Sequence, residues 1–257
     1  MKFIGIDIGS TAAKVCIREE NENNRFFYLP SGWSSRETAE AAADRLRTMD
    51  IEVEDRESCR IAATGYGRRS VEYAEDVVTE ITCHGRGGAF LAGGDCTVID
   101  VGGQDTKIIA VSKGLVVDFL MNDKCAAGTG KFVELMANRL ELDIPTLFDQ
   151  ARRGTAIPIS ALCTVFAESE VISLIGQNRD RKDIAAGVVD SVAVKVAGLA
   201  GKRQVTDRVI LTGGLSLSPY FAEVLGEKLK QEVMVSPDSL YAGALGAALT
   251  AEKKAKK

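Results

Sequence analysis

The chain has 257 residues, 46% of them hydrophobic and 26% charged, which is enough for one large domain or for two halves of about 100 residues or more. Its formal net charge of −4 disfavours a nucleic-acid partner. No stretch approaches about 18 consecutive apolar residues, and the N-terminal residues enter a strand and a glycine turn without a signal-peptide layout. We therefore expect a cytoplasmic protein with no membrane partner.

Three apolar segments run into glycine turns and are the clearest elements of the chain. They are KFIGIDIGST (2–11), CTVIDVGGQDT (96–106) and RVILTGGLSLS (208–218). The first two continue through a lysine into a second apolar strand, AAKVCIR after the first and KIIAVSK after the second. This repeat of strand, turn and strand predicts an α/β fold with two related subdomains.

Helical spacing of apolar residues fills most of the remaining chain. Helices are predicted over 34–50, 70–92, 131–142, 164–177, 183–201 and 219–231 and from about 240 onward, with further strands in 60–67 and 233–236. We expect one subdomain at 1–92 with 240–257, and a second at 93–239. The small residues of 85–93 and 241–249 suit either hinge helices between the subdomains or ordinary tight core packing.

The first glycine turn has the chemistry of a phosphate and cation site. Its backbone N–H groups around Gly9 and the hydroxyls of Ser10 and Thr11 suit a phosphate, and Asp7 suits Mg²⁺ or the water around it. Lys14 lies on the strand that follows. A single Asp-x-Gly turn is more often only structural, so this motif predicts a nucleotide site only in combination with the other turns.

The second turn repeats that chemistry with Asp100, Gly102, Gly103, Gln104 and Asp105. Two such turns, each with a carboxylate for a cation, would hold a Mg-nucleotide from both sides. Gln104 is the best candidate for orienting the attacking water, because phosphoryl transfer depends on positioning more than on covalent chemistry.

Taken with TGG in the third segment, these turns resemble the actin, heat-shock ATPase and sugar-kinase superfold, with its two related subdomains around a nucleotide cleft. The resemblance implies that Gly213 and Gly214 let the backbone approach adenosine, and that nucleotide hydrolysis alters the angle between the subdomains. Glu80 and His84 are weaker candidates for catalysis, and a lone histidine in this context is more often structural.

Two of the six cysteines differ from the rest. Cys125 and Cys163 each stand before a predicted helix, where free N–H groups and the helix dipole stabilise a thiolate or a cluster. An unremarkable pair of core cysteines remains the alternative. The other four are expected to be small buried hydrophobes: Cys16, Cys59, Cys83 and Cys96.

An iron–sulfur cluster generally needs four protein ligands, and no C-x-x-C motif is present. A two-fold dimer would supply four thiolates from two cysteines per chain. We therefore predict one [4Fe–4S] cluster shared across a homodimer interface.

The segment NDKCAAGTGKF, residues 122–132, nearly matches a phosphate-binding P-loop. It departs from that pattern at Cys125, where the first glycine would stand, and at Phe132, where the hydroxyl residue would stand. Phosphate binding is more plausibly assigned to the Asp-x-Gly turns. A second hypothesis is that Gly128, Thr129 and Gly130 contact nucleotide while Cys125 contacts iron.

NDKCAAGTG and CTVFAESEVI, together with DIGST, ATGYGR, DVGGQD and TGG, resemble the activator (component A) of 2-hydroxyacyl-CoA dehydratases. That family belongs with the ATPase subunits of benzoyl-CoA reductase, the BadF/BadG/BcrA/BcrD ATPases. The resemblance extends from about residue 3 to residue 249, and the two cysteine motifs are its most specific part.

The resemblance implies a homodimeric, oxygen-sensitive iron–sulfur ATPase of anaerobes, with the cluster held at Cys125 and Cys163. ATP hydrolysis would drive one electron from ferredoxin or flavodoxin to an iron–sulfur dehydratase that acts on a 2-hydroxyacyl-CoA. Alternative acceptors are a benzoyl-CoA-type reductase and a double-cubane cluster reductase. An actin-fold small-molecule kinase and an actin-like filament protein are further alternatives, although neither has a use for the two cysteines.

Overall fold

The computed structural model describes residues 1–20, 22–160, 163–203 and 205–256. Contacts within the chain divide it into two compact units. The first unit is Met1–Val98, Ile109–Asp118 and Ser236–Lys257, and the second unit is Ile99–Ile108 and Phe119–Val235. The subdomain boundaries expected from the sequence stay a prediction. No helix within the described ranges is long and apolar enough to cross a membrane.

The first sheet has the strand order β3-β2-β1-β4-β5. Its strands are β1 (Lys2–Ile8), β2 (Ala12–Arg18), β3 (Arg25–Pro30), β4 (Cys59–Thr64) and β5 (Asp76–Val77). The central strand β1 pairs antiparallel with β2 and parallel with β4, and its register places Asp7 opposite Lys14. Because β1 is in the middle of the sheet, its side chains are buried almost throughout.

The second sheet has the order β10-β9-β6-β7-β8. Its strands are β6 (Cys96–Val101), β7 (Thr106–Ser112), β8 (Leu115–Asn122), β9 (Val209–Gly213) and β10 (Val233–Met234). The predicted glycine turns all follow buried strands of the two sheets, namely β1, β6 and β9.

The helices of the first unit are α1 (Ser35–Arg47), α2 (Glu80–Ala92) and α8 (Ala242–Ala255). Those of the second unit are α3 (Gly130–Arg139), α4 (Ile144–Arg153), α5 (Thr164–Gly176), α6 (Arg181–Ala200) and α7 (Pro219–Leu229). The core of the second unit contains Phe132, Leu147, Val192 and Phe221 from four of these helices. Burial of their apolar faces positions the loops that carry Cys125 and Cys163.

The helix predicted over 70–92 is wrong in its first part. Residues 76–77 form β5, which pairs in parallel with β4, and the N–H of Val78 donates to the carbonyl oxygen of Ala63 over 2.9 Å. The helix begins only at Glu80, after Thr79 caps it. Pairing with a distant strand overrides the apolar spacing here. The strands β3 and β8 and the helix α4 were not predicted from the sequence.

The two helices rich in small residues, α2 and α8, pack against each other within the first unit. A Cβ on Gly87 would overlap the carbonyl oxygen of Ala242, and a Cβ on Gly246 would overlap that of Cys83. Glycine is therefore required for this close backbone approach. The structure confirms tight packing, whereas the hinge role stays a prediction.

Candidate functional site

The first glycine turn is held closed by its own backbone and lies next to a lysine. The N–H of Gly9 donates to the carbonyl oxygen of Ala12 over 3.2 Å. A Cβ on Gly9 would lie 3.3 Å from Nζ of Lys14, so the ammonium is beside the turn. Ser10 and Thr11 are exposed. The turn thus combines free hydroxyls with a nearby cation, as a phosphate site requires.

Asp7 is buried at the end of β1 and is bordered by glycine backbone. A Cβ on Gly65, whose φ is 85°, would overlap Oδ1 of Asp7, and a Cβ on Gly243 would lie 2.5 Å from Oδ2. Nε2 of His84 lies 3.8 Å from Oδ2 of Asp7 and 4.0 Å from Oε1 of Glu80. Neither Gly65 nor Gly243 was predicted as a site residue, although the motif ATGYGR contains Gly65.

A further loop is tied to the first turn. Ser31 Oγ donates to the carbonyl oxygen of Gly9 over 2.7 Å, and the Ser31 N–H donates to that of Thr11 over 3.0 Å. Trp33, two residues later, is 96% exposed. A change in the conformation of the turn is therefore transmitted directly to the loop that carries this tryptophan.

The second turn contains a buried ionic group that was missed as a site feature. Lys107 is only 1% exposed, and its Nζ lies 3.3 Å from Oδ2 of Asp100 and 2.6 Å from Oδ1 of Asp105. Oδ1 of Asp100 accepts a hydrogen bond from Thr212 Oγ1 over 2.9 Å. A buried lysine between two carboxylates is stable only because the charges are paired. The signal in the sequence is the lysine that follows each Asp-x-Gly turn at equal spacing, Lys14 and Lys107.

Gly102 and Gln104 have different places in this turn. The N–H of Gly102 donates to the carbonyl oxygen of Asp105 over 2.9 Å, and a Cβ on Gly102 would lie 2.7 Å from Oδ1 of Asp105. Gln104 is exposed at the tip of the turn. Its exposure leaves the amide accessible to a ligand, while Gly102 allows the tight turn behind it.

The third turn approaches Asp100 through its backbone. Gly213 has a φ of 81°, and a Cβ on it would lie 2.8 Å from Oδ1 of Asp100. Its carbonyl oxygen accepts a hydrogen bond from Ser216 Oγ over 2.7 Å. Within the described part of the chain, and apart from the two residues next to it, no atom lies within 4 Å of the Cβ position of Gly214. The second and third glycine turns of the chain, which both lie in the second unit, therefore meet at the buried carboxylate of Asp100. There is open space beside Gly214.

The segment Gly128–Lys131 is hydrogen-bonded to the second turn. The N–H groups of Gly130 and Lys131 donate to the carbonyl oxygens of Gly102 and Gly103 over 2.8 and 2.9 Å. Thr106 Oγ1 donates to the carbonyl oxygen of Gly128 over 2.6 Å. We call residues 125–129 the cysteine loop. The bond from Thr106 holds this loop at Gly128, and the bonds from Gly130 and Lys131 hold the start of the following helix to the candidate phosphate turn.

The six cysteines fall into a buried group and an exposed group, and the four that were predicted to be buried are buried. Cys16, Cys59, Cys83 and Cys96 are buried, whereas Cys125 and Cys163 are exposed free thiols. Burial raises the pKa of Cys16 and of Cys83 to about 12. Those two thiols therefore stay protonated at neutral pH and are poor metal ligands.

The two exposed cysteines differ in their position relative to a helix. Cys163 is the N-cap residue of α5. The expectation that Cys125 also marks a helix start needs correction, because the N-cap of α3 is Thr129 and α3 begins at Gly130. Instead, the carbonyl oxygen of Cys125 accepts a hydrogen bond from Asn122 Nδ2 over 3.0 Å. The positive φ of Gly128, near the end of the cysteine loop, turns the chain toward the helix three residues after Cys125.

Two mixed α/β sheets, with buried strands running into aspartate–glycine turns, define an actin-like ATPase fold. A glucokinase of the ROK family from Streptomyces griseus shares this fold with a TM-score of 0.61 at 16% identity, over 98% of this chain and 100% of that one. The chain belongs to the BadF/BadG/BcrA/BcrD ATPase family, whose model matches residues 4–251.

Similarity to individual proteins extends over almost the whole chain. The (R)-2-hydroxyglutaryl-CoA dehydratase activating ATPase of Acidaminococcus fermentans is 42% identical in an alignment of 257 positions that covers 99% of this chain and 98% of that protein. The activator of the 2-hydroxyisocaproyl-CoA dehydratase from Clostridium difficile, solved with bound ADPNP, has a TM-score of 0.92 at 36% identity. The match covers 100% of this chain and 96% of that one.

Proposed function

We propose that the protein is an ATP-dependent activator of a 2-hydroxyacyl-CoA dehydratase. It would pass single electrons from ferredoxin or flavodoxin to the dehydratase through one [4Fe–4S] cluster shared by two copies of the chain. The observation that carries the proposal is that the helix start directly after the cysteine loop is hydrogen-bonded to a phosphate-type turn, while Thr106 Oγ1 bonds to Gly128 in the loop itself. A small-molecule kinase of the same fold would have no use for the two exposed cysteines.

The nucleotide would be held by the residues of the three turns. Backbone N–H groups and hydroxyls at Gly9, Ser10 and Thr11 would bind phosphate oxygens, with Lys14 adding charge. Gly102, Gly103 and Gln104 would do the same from the second turn, and Gln104 would orient the attacking water. The open space beside Gly214 supports the assignment of Gly213 and Gly214 to adenosine.

Magnesium would be bound through water at Asp7 and Asp100. Carboxylate oxygens are the ligands Mg²⁺ prefers, and it normally keeps several of its waters. Both oxygens of Asp100 already accept a hydrogen bond or contact an ammonium within the protein, from Thr212 and from Lys107. That arrangement suits contact through water better than direct coordination.

The cysteine ligands of one chain can hold a cluster only together with those of a second copy. Cys125 and Cys163 are the two exposed cysteines, and both lie in the second unit. Two thiolates per chain require a second copy to reach the four that such a cluster needs. When bound, the cluster would store one electron at low potential. The protein's own part is to hold the thiolates and exclude other ligands from them.

ATP hydrolysis would provide the energy for the electron transfer. A one-electron couple changes its equilibrium tenfold for each 59 mV, or about 1.4 kcal/mol. Release of the γ-phosphate would alter the second turn, and the bonds from Gly130 and Lys131 would carry that change to the cysteine loop. One electron enters from the donor, and the same electron leaves to the acceptor.

The first test is the metal content of the protein purified without oxygen. We expect about four irons and four sulfides per two chains, and loss of both in Cys125→Ala and in Cys163→Ala. Cys59→Ala is the matched control, since that thiol is buried and should leave the iron content unchanged. A colourless protein in which Cys125→Ala behaves like the native chain would contradict the proposal.

The second test identifies the acceptor. Reduced protein is mixed with a purified 2-hydroxyacyl-CoA dehydratase or with a benzoyl-CoA-type reductase, with ATP or with a non-hydrolysable analogue. We expect ATP-dependent reduction of the dehydratase and none with the analogue. Transfer to the reductase alone would support an electron-transfer ATPase and show that its partner is a benzoyl-CoA-type reductase.

A further inference from the structure

Lys195 lies directly under the cysteine loop. It belongs to α6, and it is half-buried. Its Cβ lies 3.2 Å from the position that a Cβ on Gly128 would take, and its Nζ lies 5.3 Å from the centroid of the Phe132 ring. Because Gly128 has no side chain, the loop packs closely on the stem of Lys195.

The ammonium of Lys195 is within electrostatic reach of both exposed cysteines. Burial holds the pKa of Lys195 below its usual value, and the charges of Cys125 and Cys163 offset part of that shift. The face of the buried Phe132 ring also favours the cation. Lys195 thus interacts electrostatically with Cys125 and Cys163, which come from different segments of the chain.

We propose that Lys195 supplies a fixed positive charge that raises the reduction potential of the cluster held by Cys125 and Cys163. This inference rests on the proposed function. The reduced cluster carries one more negative charge than the oxidised cluster, so a nearby cation stabilises the reduced form more. The same charge offsets the repulsion between thiolates when they come together around iron.

A salt bridge at the surface would not have this effect, since water and ions screen it. Lys195 differs because its stem packs against the cysteine loop at Gly128 and its ammonium lies over the ring of the buried Phe132. The position of the charge is therefore set by packing, as a fixed contribution to a potential requires.

The test is a reduction titration of the iron-loaded dimer without oxygen, followed by electron paramagnetic resonance. The variants are Lys195→Met, Lys195→Gln and Lys195→Arg. Lys182→Met is the matched control, because Lys182 is an exposed lysine of the same helix, about 20 Å along its axis at 1.5 Å per residue. We expect the two neutral variants to lower the reduction equilibrium constant about tenfold, equivalent to 59 mV. Lys195→Arg should stay within about twofold of the native protein, and Lys182→Met should be unchanged.

Each outcome decides the matter. Equal potentials in the native protein and both neutral variants would overturn the inference while leaving the proposed function intact. A native protein that binds no iron would overturn both. If the neutral variants lose iron at an unchanged melting temperature and Lys195→Arg keeps it, the role of the charge is supported. Loss of iron in Lys195→Arg as well would show that Lys195 matters for packing instead.

Discussion

The backbone N–H of Gly130 donates a hydrogen bond to the carbonyl oxygen of Gly102 over 2.8 Å. Gly102 belongs to a candidate phosphate turn, and Gly130 is the first residue of the helix that follows the cysteine loop. The P-loop-like segment around Cys125 is therefore hydrogen-bonded to the candidate phosphate turn, and contact of its glycines with nucleotide stays a prediction. It links the turn to the thiol through main-chain bonds, so its glycines matter for geometry.

Replacement of Gly130 should weaken nucleotide binding. A Cβ at this position would lie 3.1 Å from the carbonyl oxygen of Gly102, so Gly130→Ala would push the turn away or lengthen the bond. One such bond contributes about 0.5–1.5 kcal/mol, and we expect up to about tenfold weaker ADP binding by calorimetry. Gly198→Ala is the control, because nothing lies within 4 Å of its Cβ position. Equal affinities for both variants would show that the link does not reach the nucleotide.

Removal of the Lys107 charge should be strongly destabilising. Lys107→Met would leave the buried Asp100 and its neighbour Asp105 without their cation. Breaking a buried ion pair on one side typically costs about 3–5 kcal/mol, measurable as a lower free energy of unfolding in urea. Lys131→Met removes an exposed pair with Glu134 and should cost less than about 1 kcal/mol. A loss for Lys107→Met no larger than the control's would refute the buried-pair interpretation.

Nucleotide binding should change the fluorescence of Trp33, the single tryptophan of the chain. Ser31 joins its loop to the turn at Gly9 and Thr11, so we expect a phosphate bound there to move the loop that carries the indole. We expect a saturable change of emission on addition of Mg-ADP, and a smaller change in Ser31→Ala. Emission that stays constant while calorimetry records binding would show that binding does not move this loop.

Stability at acid pH should depend on Asp76. Burial raises the pKa of Asp76, but hydrogen bonds from Lys254 and Arg60 outweigh burial and hold the pKa below its usual value of 3.8. The folded state therefore favours the carboxylate, and this contribution is complete above the ordinary pKa and is lost as pH falls through the lower, folded value. The difference in unfolding free energy between the native protein and Asp76→Asn should shrink as pH falls below 3.8.

Asp44→Asn is the comparison for that experiment. Asp44 pairs with Arg47 in α1 at 2.8 Å, but both side chains are largely exposed to water. The free energies of unfolding of the native protein and of Asp44→Asn should therefore nearly coincide at all pH values. A constant difference between native protein and Asp76→Asn from neutral to acid pH would contradict the assignment.

Local patterns were sufficient for the strands that end in glycine turns. An apolar run followed by Asp-x-Gly predicts a buried strand and a tight turn, and β1 and β6 end in this way. The same reasoning failed over 70–79, where apolar spacing predicted a helix and the chain instead forms β5 beside β4. Helical and strand periods are hard to separate in short segments, and pairing with a distant strand decides between them.

The sequence by itself determined the three glycine turns. It also determined that Cys125 and Cys163 differ from the other four cysteines. Both depend on residues next to one another in the chain. Only the tertiary structure decided that Lys107 pairs with Asp100, that Gly65 and Gly243 border Asp7, and that Lys195 lies under the cysteine loop. Burial, ion pairing and backbone approach between distant segments depend on how the elements pack, and packing leaves no local pattern in the sequence.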